Sequence, residues 1–163
     1  MRYLHLTKGK VAQIDDQDWN KISHLKWSAQ RRGRLWYAAT YVKDDDKNYH
    51  PVYLHRFILD APSGVQVDHI DGNGLNCTRK NLRLASAVQN RRNSKRYANN
   101  KTGYKGVMFY KRDHNYRAYI KVGTRQIHLG YYPTPEQAAR AYDRAALEHF
   151  GEFARLNFPD NHQ

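Results

Sequence analysis

Four residues between Val67 and Asn93 have the types and spacing of a catalytic set. Asp68 and His69 are adjacent, Asn81 follows twelve residues after His69, and Asn90 nine after that. The stretch reads VDHIDGN at 67–73, NLRLAS at 81–86 and QNRRN at 89–93. Imidazole titrates near neutrality, which makes His69 the base of the set. Asp68 offers a hard anionic oxygen and Asn90 a carbonyl oxygen, donors that suit Mg²⁺ or Mn²⁺. An amide is a poor acid and base, so Asn81 is better suited to bridging backbone groups and holding the loop. Taken singly, each of these residues is ordinary turn or capping chemistry, as in Asp71-Gly72-Asn73.

The chemistry such a set would serve is phosphodiester hydrolysis. Attack on a phosphodiester adds charge to a phosphate that is already anionic. A base must take a proton from water, a cation must stabilise the new charge, and both must be held against the scissile bond. In a regular strand Asp68 and His69 would point to opposite faces. The Gly72-Asn73-Gly74 run predicts a turn that brings both to one cleft, and a short helix over 88–92 would carry Asn90 back towards Asp68. Arg91 and Arg92 would then clamp flanking phosphates.

Charge supports a polyanionic partner. The 163 residues carry a net charge of +13 and a pI near 9.9, which favours nucleic acid over a membrane surface. No long apolar run is present, and residues 1–10 lack the apolar stretch of a secretory leader. The single cysteine, Cys77, excludes a disulfide framework and a cysteine-rich zinc site. A reducing, intracellular setting is expected. From Gly72 to Arg112 there is no Asp or Glu, while Arg91, Arg92, Lys95, Arg96, Lys105 and Arg112 fall in that window. Solvated surfaces ordinarily mix signs, so this window reads as a nucleic-acid-facing one. With 13 tyrosines and modest aliphatic content, two small aromatic-rich cores fit better than one large core.

The elements that position the set follow from patterning. Residues 2–14 read as two short strands about Gly9, and Asp15 or Asp16 as the N-cap of a short helix to about His24. Residues 27–28 and 35–42 read as a hairpin, and Asp44-Asp45-Asp46 as a solvated loop. YLHRFIL at 53–59 is too short to assign, and its His55 either lines the site or is a half-buried structural histidine. Residues 93–103 lack periodicity and read as a basic linker. Strands follow at 106–110, 116–122 and 126–130. Thr134-Pro135-Glu136-Gln137 then starts a helix that runs to Phe150 before Gly151. Its stripe of Ala138, Ala141, Tyr142, Ala145 and Ala146 predicts close packing on a sheet. In the middle strand Tyr116, Ala118, Ile120 and Val122 should face that helix. Arg117, Tyr119 and Lys121 should face away, with Tyr110 and His128 as neighbours.

YLHRFIL, VDHIDGN, NLRLAS and QNRRN together resemble the HNH endonucleases, especially the phage and intron-encoded homing type. The resemblance implies a ββα-metal fold around one divalent cation. It makes His69 the general base, Asp68 and Asn90 the metal ligands, and Asn81 the loop-stabilising middle position. The chain is then an H-N-N variant, and an amide oxygen at the third position, where many members carry an imidazole, points to Mg²⁺ or Mn²⁺ rather than Zn²⁺ or Ni²⁺. YKGV at 104–107, RAYIKV at 117–122, IHLGYY at 127–132 and the run from Thr134 to Pro159 resemble the plant ethylene-response-factor (APETALA-type) DNA-binding domain. That family docks its sheet in the major groove. Here Met108 and Tyr110 stand where plant members carry arginines, and His128 where tryptophan is usual, so the docking mode is implied and the plant target sequence is not.

The expectation is an α+β chain of two domains: a nuclease domain over 1–95 with extra N-terminal strands, a basic linker over 96–103, and a three-stranded sheet on one helix over 104–163. The expected activity is that of a site-selecting homing-type DNA endonuclease that cuts or nicks double-stranded DNA with one Mg²⁺ or Mn²⁺ per active site. The expected DNA contacts are Arg91, Arg92, Lys95, Arg96, Lys105, Tyr110, Arg112, Arg117, Tyr119, Lys121, Arg125 and His128. A monomer or a DNA-dependent dimer in the cytoplasm of a phage-infected bacterium is expected, with no membrane partner. The alternatives are a non-catalytic DNA-binding regulator and a structure-directed nuclease of little sequence preference.

Overall fold

The computed structural model describes residues 1–45, 47–94 and 100–159. Lys95 and Arg96 lie outside the described residues, as does the first half of the expected linker. The chain divides into two compact units, Met1–Asn90 and Arg91–Gln163.

In the first unit β1 (Arg2–His5) and β2 (Val11–Ile14) form an antiparallel pair. Alternation leaves Ala12 and Ile14 fully buried. The expected helix after it is short: a 3₁₀ turn at Asp16–Asp18, then α1 (Trp19–Ile22). Asp15 does not cap it, because its Oδ2 accepts the Arg79 amide instead (2.7 Å). Asp18 is buried and receives the Arg79 guanidinium at 2.7–3.2 Å. These acids therefore tie the start of the chain to the segment before Asn81.

The expected hairpin gains a third strand. β3 (Ser28–Arg32), β4 (Leu35–Lys43) and β5 (Tyr49–Tyr53) form an antiparallel sheet in that order. β5 is an edge strand, which is where Pro51 can sit without removing a ladder bond. Tyr53 closes the strand, and the chain turns directly into α2 (Leu54–Ile58), which resolves the unassigned YLHRFIL run. The Arg56 guanidinium donates to the carbonyls of Ala61, Pro62 and Val65, which fixes the turn leading into the site.

β6 (Gln66–His69) and β7 (Leu82–Ala85) pair antiparallel, and α3 (Ala87–Arg92) follows. Ser86 and Gln89 form a capping box: the Gln89 amide donates to Ser86 Oγ (3.2 Å) and the Ser86 amide to Gln89 Oε1 (2.8 Å). The core of the unit joins β2, α1, β4, α2, β6 and β7 through Ala12, Ile14, Ile22, Ala38, Leu54, Ile58, Val67 and Leu82, with Trp27 and Cys77 from the connecting segments.

In the second unit β8 (Val107–Tyr110), β9 (Asn115–Val122) and β10 (Arg125–Tyr132) form an antiparallel meander with β9 central. α4 (Pro135–Phe150) packs on it. Thr134 accepts the Gln137 amide at its N-terminus, and Gly151 (φ +53°) ends it. Gly106 (φ +75°) must lack a side chain, since a Cβ there would lie 1.9 Å from the Tyr142 ring. Buried Asp143 accepts from the amides of Asn157 and Phe158, and Asn157 in turn clasps the backbone of Lys105. Asn100 to Gly103, the end of the expected linker, form an Asx turn of this unit, with Asn100 Oδ1 accepting from Thr102 and Gly103.

Candidate functional site

β6 carries Asp68 and His69, and its pairing with β7 sorts the side chains. Directly opposed residues share a face, so Gln66, Asp68, Arg83 and Ala85 lie on one side and Val67, His69, Leu82 and Leu84 on the other. The alternation expected of a regular strand thus persists through Asp68-His69, and the backbone turns only beyond it, where the Gly72 amide donates to the His69 carbonyl (2.8 Å).

Asp68 is 4% exposed, and its Oδ2 accepts two bonds from Arg83, from Nε at 2.9 Å and from a terminal nitrogen at 2.7 Å. A buried carboxylate needs such a partner, because an uncompensated buried charge costs several kcal/mol. Arg83 is the residue that sequence reasoning missed. The signal was its place three residues before Ser86 in NLRLAS, but only the register reveals that it faces Asp68. α3 returns the chain so that Asn90 Nδ2 donates to Gln66 Oε1 (2.7 Å), on the face of β6 that also holds Asp68. That bond orients the amide and turns its oxygen away from Gln66.

His69 is buried at 6% exposure on the opposite face. Burial holds its imidazole down at about 4, against the opposing pull of Asp71 and Asp68, so it is neutral and base-competent at pH 7. Its ring meets His55 edge-on at 4.9 Å and Tyr37 at 5.9 Å. His55, from α2, is also buried. Its Nδ1 has no hydrogen-bond partner among the described residues, and burial followed by the nearby His69 pushes the imidazole down to about 3. Tyr53 stacks on it at 5.6 Å. His55 therefore forms part of the wall around His69.

The loop between the strands is held by amides. Asn81 Oδ1 accepts the Asp71 amide (3.0 Å), and its Nδ2 donates to Asp71 Oδ1 (3.0 Å) and to the Asn76 carbonyl (2.8 Å). Burial pushes the Asp71 carboxyl up, but donors from Asn73, Asn76 and Asn81 outweigh that and hold it below its ordinary value. Gly74 lies against the Trp36 carbonyl, where a Cβ would come within 2.4 Å, and this joins the loop to β4. Cys77 is fully buried with its thiol pushed up to about 12 by burial, so it is chemically inert.

The donor set fits a hard divalent cation. Asp68 and Asn90 offer oxygens from neighbouring elements, and among the described residues no cluster of three or more His, Cys, Asp or Glu could hold a metal. Two protein oxygens with water and phosphate completing the shell is the Mg²⁺ pattern, not that of a closed zinc cage.

The basic residues divide by environment. Arg91 is exposed on α3. Arg92 lies over the Phe150 ring at 4.7 Å, and Lys105 Nζ donates to the carbonyls of Arg92 (2.6 Å) and Ser94 (2.8 Å). Burial pushes the Lys105 ammonium down to about 8, so this cation serves the interior of the second unit. Arg117, Tyr119 and Lys121 project from the face of β9 away from α4, beside Met108 and Tyr110 of β8 and Gln126 and His128 of β10. Arg117 Nε donates to His128 Nδ1 (3.2 Å). Strict alternation would turn Tyr131 towards the helix. A bulge between His128 and Gly130 shifts the phase and sets Tyr131 opposite Arg117, against His128 (4.7 Å) and Tyr110 (5.4 Å). Arg125 opens β10, exposed, and Arg112, 82% exposed, lies 3.4 Å from Asp113.

Comparison with known proteins matches two separate stretches of the chain. Residues 60–92 match the HNH endonuclease family model and residues 102–152 the AP2 domain model. The chain is 36% identical over 156 residues to an uncharacterized HNH endonuclease of Acanthamoeba polyphaga mimivirus, across 92% of this chain and 76% of that one. It is 36% identical over 95 residues to Protein 3.8 of Escherichia phage T7, covering 58% of this chain and 78% of the phage protein. The APETALA2-like protein 2 of rice is 44% identical over 55 residues, or 34% of this chain and 13% of the plant protein.

Proposed function

Because the chain belongs to the HNH endonuclease family and carries an AP2 domain C-terminal to the nuclease residues, we propose that it is a site-selecting, homing-type DNA endonuclease that cuts or nicks duplex DNA with one Mg²⁺ or Mn²⁺. The observation that carries this reading is the arrangement about β6: buried Asp68 with Asn90 returned by α3 to its face through Gln66, and neutral His69 next along the strand.

Asp68 and Asn90 are the residues that would hold the cation. When bound, it supplies positive charge against the phosphate and the leaving 3′ oxygen. His69 takes the proton from the attacking water, and its place in the apolar wall of Tyr37 and His55 keeps the imidazole unprotonated at neutral pH. Asn81 holds the 70–76 loop, and so the end of β6, by its three amide bonds. Neighbouring Cα atoms lie about 3.8 Å apart, which keeps the base close to the ligand although their side chains leave the strand on opposite faces.

The second unit is read as the tether. Its outer sheet face carries Arg117, Tyr119, Lys121 and His128, side chains suited to phosphate contact and base-edge readout. Tethering raises the effective concentration of the cutting unit at its site. No helix among the described residues is long and apolar enough to cross a membrane, and the relatives named include a phage and a viral protein. The setting proposed is the cytoplasm of an infected cell. Incubation of supercoiled plasmid with and without Mg²⁺ tests the activity: nicked or linear product only with the cation is expected, and intact plasmid across several divalent cations, despite DNA binding, would refute it.

A further inference from the structure

The first unit holds a further cation-bearing surface on its three-stranded sheet, apart from the expected DNA contacts. In β3–β5, Ser28 opposes Ala39 and Ala39 opposes Tyr53. Gln30 opposes Tyr37, Arg32 opposes Leu35, and Tyr41 opposes Pro51. These residues share one face. Arg31 opposes Trp36 and shares the other face with Ala38, a member of the core. The first face runs directly to the candidate site, because its Tyr37 touches both His55 and His69 and its Tyr53 stacks on His55.

Two polar side chains on this face are fixed by neutral hydroxyls. Arg32 Nε donates to the Tyr53 hydroxyl (2.8 Å) and Gln30 Nε2 to the Tyr41 hydroxyl (2.7 Å). β3, β4 and β5 contain no Asp or Glu. Four carboxylates elsewhere in the unit are ion-paired with other groups: Asp16 with Arg2 and the N-terminus, Asp18 with Arg79, Asp60 with Lys21, Asp68 with Arg83. Arg32 has no carboxylate partner among the described residues, so its charge is oriented but not neutralised. Orientation before binding lowers the ordering cost of an ionic contact, and a guanidinium with free edges matches a phosphate.

We propose that this face is a DNA-backbone-binding surface in which Arg32 takes a phosphate next to the one presented to His69, with Gln30 and Tyr41 flanking it. The proposal rests on the reading that duplex DNA is the substrate. Its test reads binding rather than cutting, so the two can fail separately.

The experiment measures the affinity of the full chain for duplex DNA across a salt series, in EDTA. Each phosphate contact contributes about −0.9 to the slope of log K against log salt. Arg32→Gln should weaken binding and make the slope shallower by about one such increment, and Arg32→Lys should restore the slope. Arg31→Gln removes the same charge one residue away on the opposite face and should leave the slope unchanged. Tyr53→Phe, which keeps the cation and removes its anchor, should weaken binding while retaining the slope. Equal slopes for wild type and Arg32→Gln, or equal changes from Arg31→Gln and Arg32→Gln, would overturn the proposal. A tryptophan-fluorescence unfolding curve shows that each variant is folded, since Trp19, Trp27 and Trp36 all lie in this unit. A chain that binds with the predicted slope changes but never cuts would refute the nuclease reading alone.

Discussion

Replacing Arg83 with alanine should expose how far the candidate site depends on an internal cation. Asp68 is 4% exposed and the Arg83 side chain 12%, and two nitrogens of Arg83 grip Oδ2. Removing one partner of such a pair leaves an uncompensated buried charge, at a cost of about 3–5 kcal/mol. Because Arg83 keeps some contact with solvent, the lower end, about 3 kcal/mol, is expected. With a urea dependence of about 1–3 kcal/mol per molar for a small unit, the midpoint should fall by at least about 1 M. All three tryptophans lie in this unit, so their fluorescence follows its unfolding and not that of the second unit. If Asp68 also binds the divalent cation, Mn²⁺ should replace the lost charge. At a concentration about a hundred times its Kd it should return about 2.7 kcal/mol to Arg83→Ala, and less to wild type, where Arg83 competes for the carboxylate. An unchanged urea midpoint for Arg83→Ala would refute the ion-pair argument. Equal stabilisation of both chains by Mn²⁺ would refute the placement of the cation at Asp68.

Two further predictions concern stability. Burial holds His69 at about 4 and His55 at about 3, both below the ordinary 6.5, so the unfolded unit binds up to two more protons than the folded one at pH 5. Stability from these groups is complete above about pH 6.5 and lost as pH falls towards 4. The slope should approach about 2.7 kcal/mol per pH unit, and His55→Leu should roughly halve it, as read from urea midpoints by tryptophan fluorescence. In the second unit Gly106→Ala combines a left-handed backbone with a clash against the Tyr142 ring and should cost about 2–4 kcal/mol. Far-UV circular dichroism should show one transition lowered while the tryptophan transition stays put, and a shift of both would contradict the division into two units.

Much of the second unit was legible because its patterns are local. Alternation in 116–122 and the Thr134–Gln137 cap correspond to β9 and α4 as observed. Tyr131 was not legible, because a one-residue bulge inverts the alternation that would have placed it. In the first unit the types and spacing of Asp68, His69, Asn81 and Asn90 could be read directly, but their partners could not. Arg83 faces Asp68 only through register, and Gln66 meets Asn90 only because α3 returns across the hairpin. Asp15 had the look of a helix cap, yet a contact 64 positions along the chain took its carboxylate instead. Tyr53 stacks on His55, beside His69, from a third strand that contains a proline, which argues against a strand when read from sequence alone.

The central claim is that His69 is the base of a metal-dependent DNA nuclease. The most direct measurement is the single-turnover rate of plasmid nicking in Mg²⁺ by wild type and by His69→Ala, both shown to bind the same DNA equally. A rate lower by about 10²–10⁴-fold is expected for His69→Ala. Cutting by His69→Ala at the wild-type rate would contradict it.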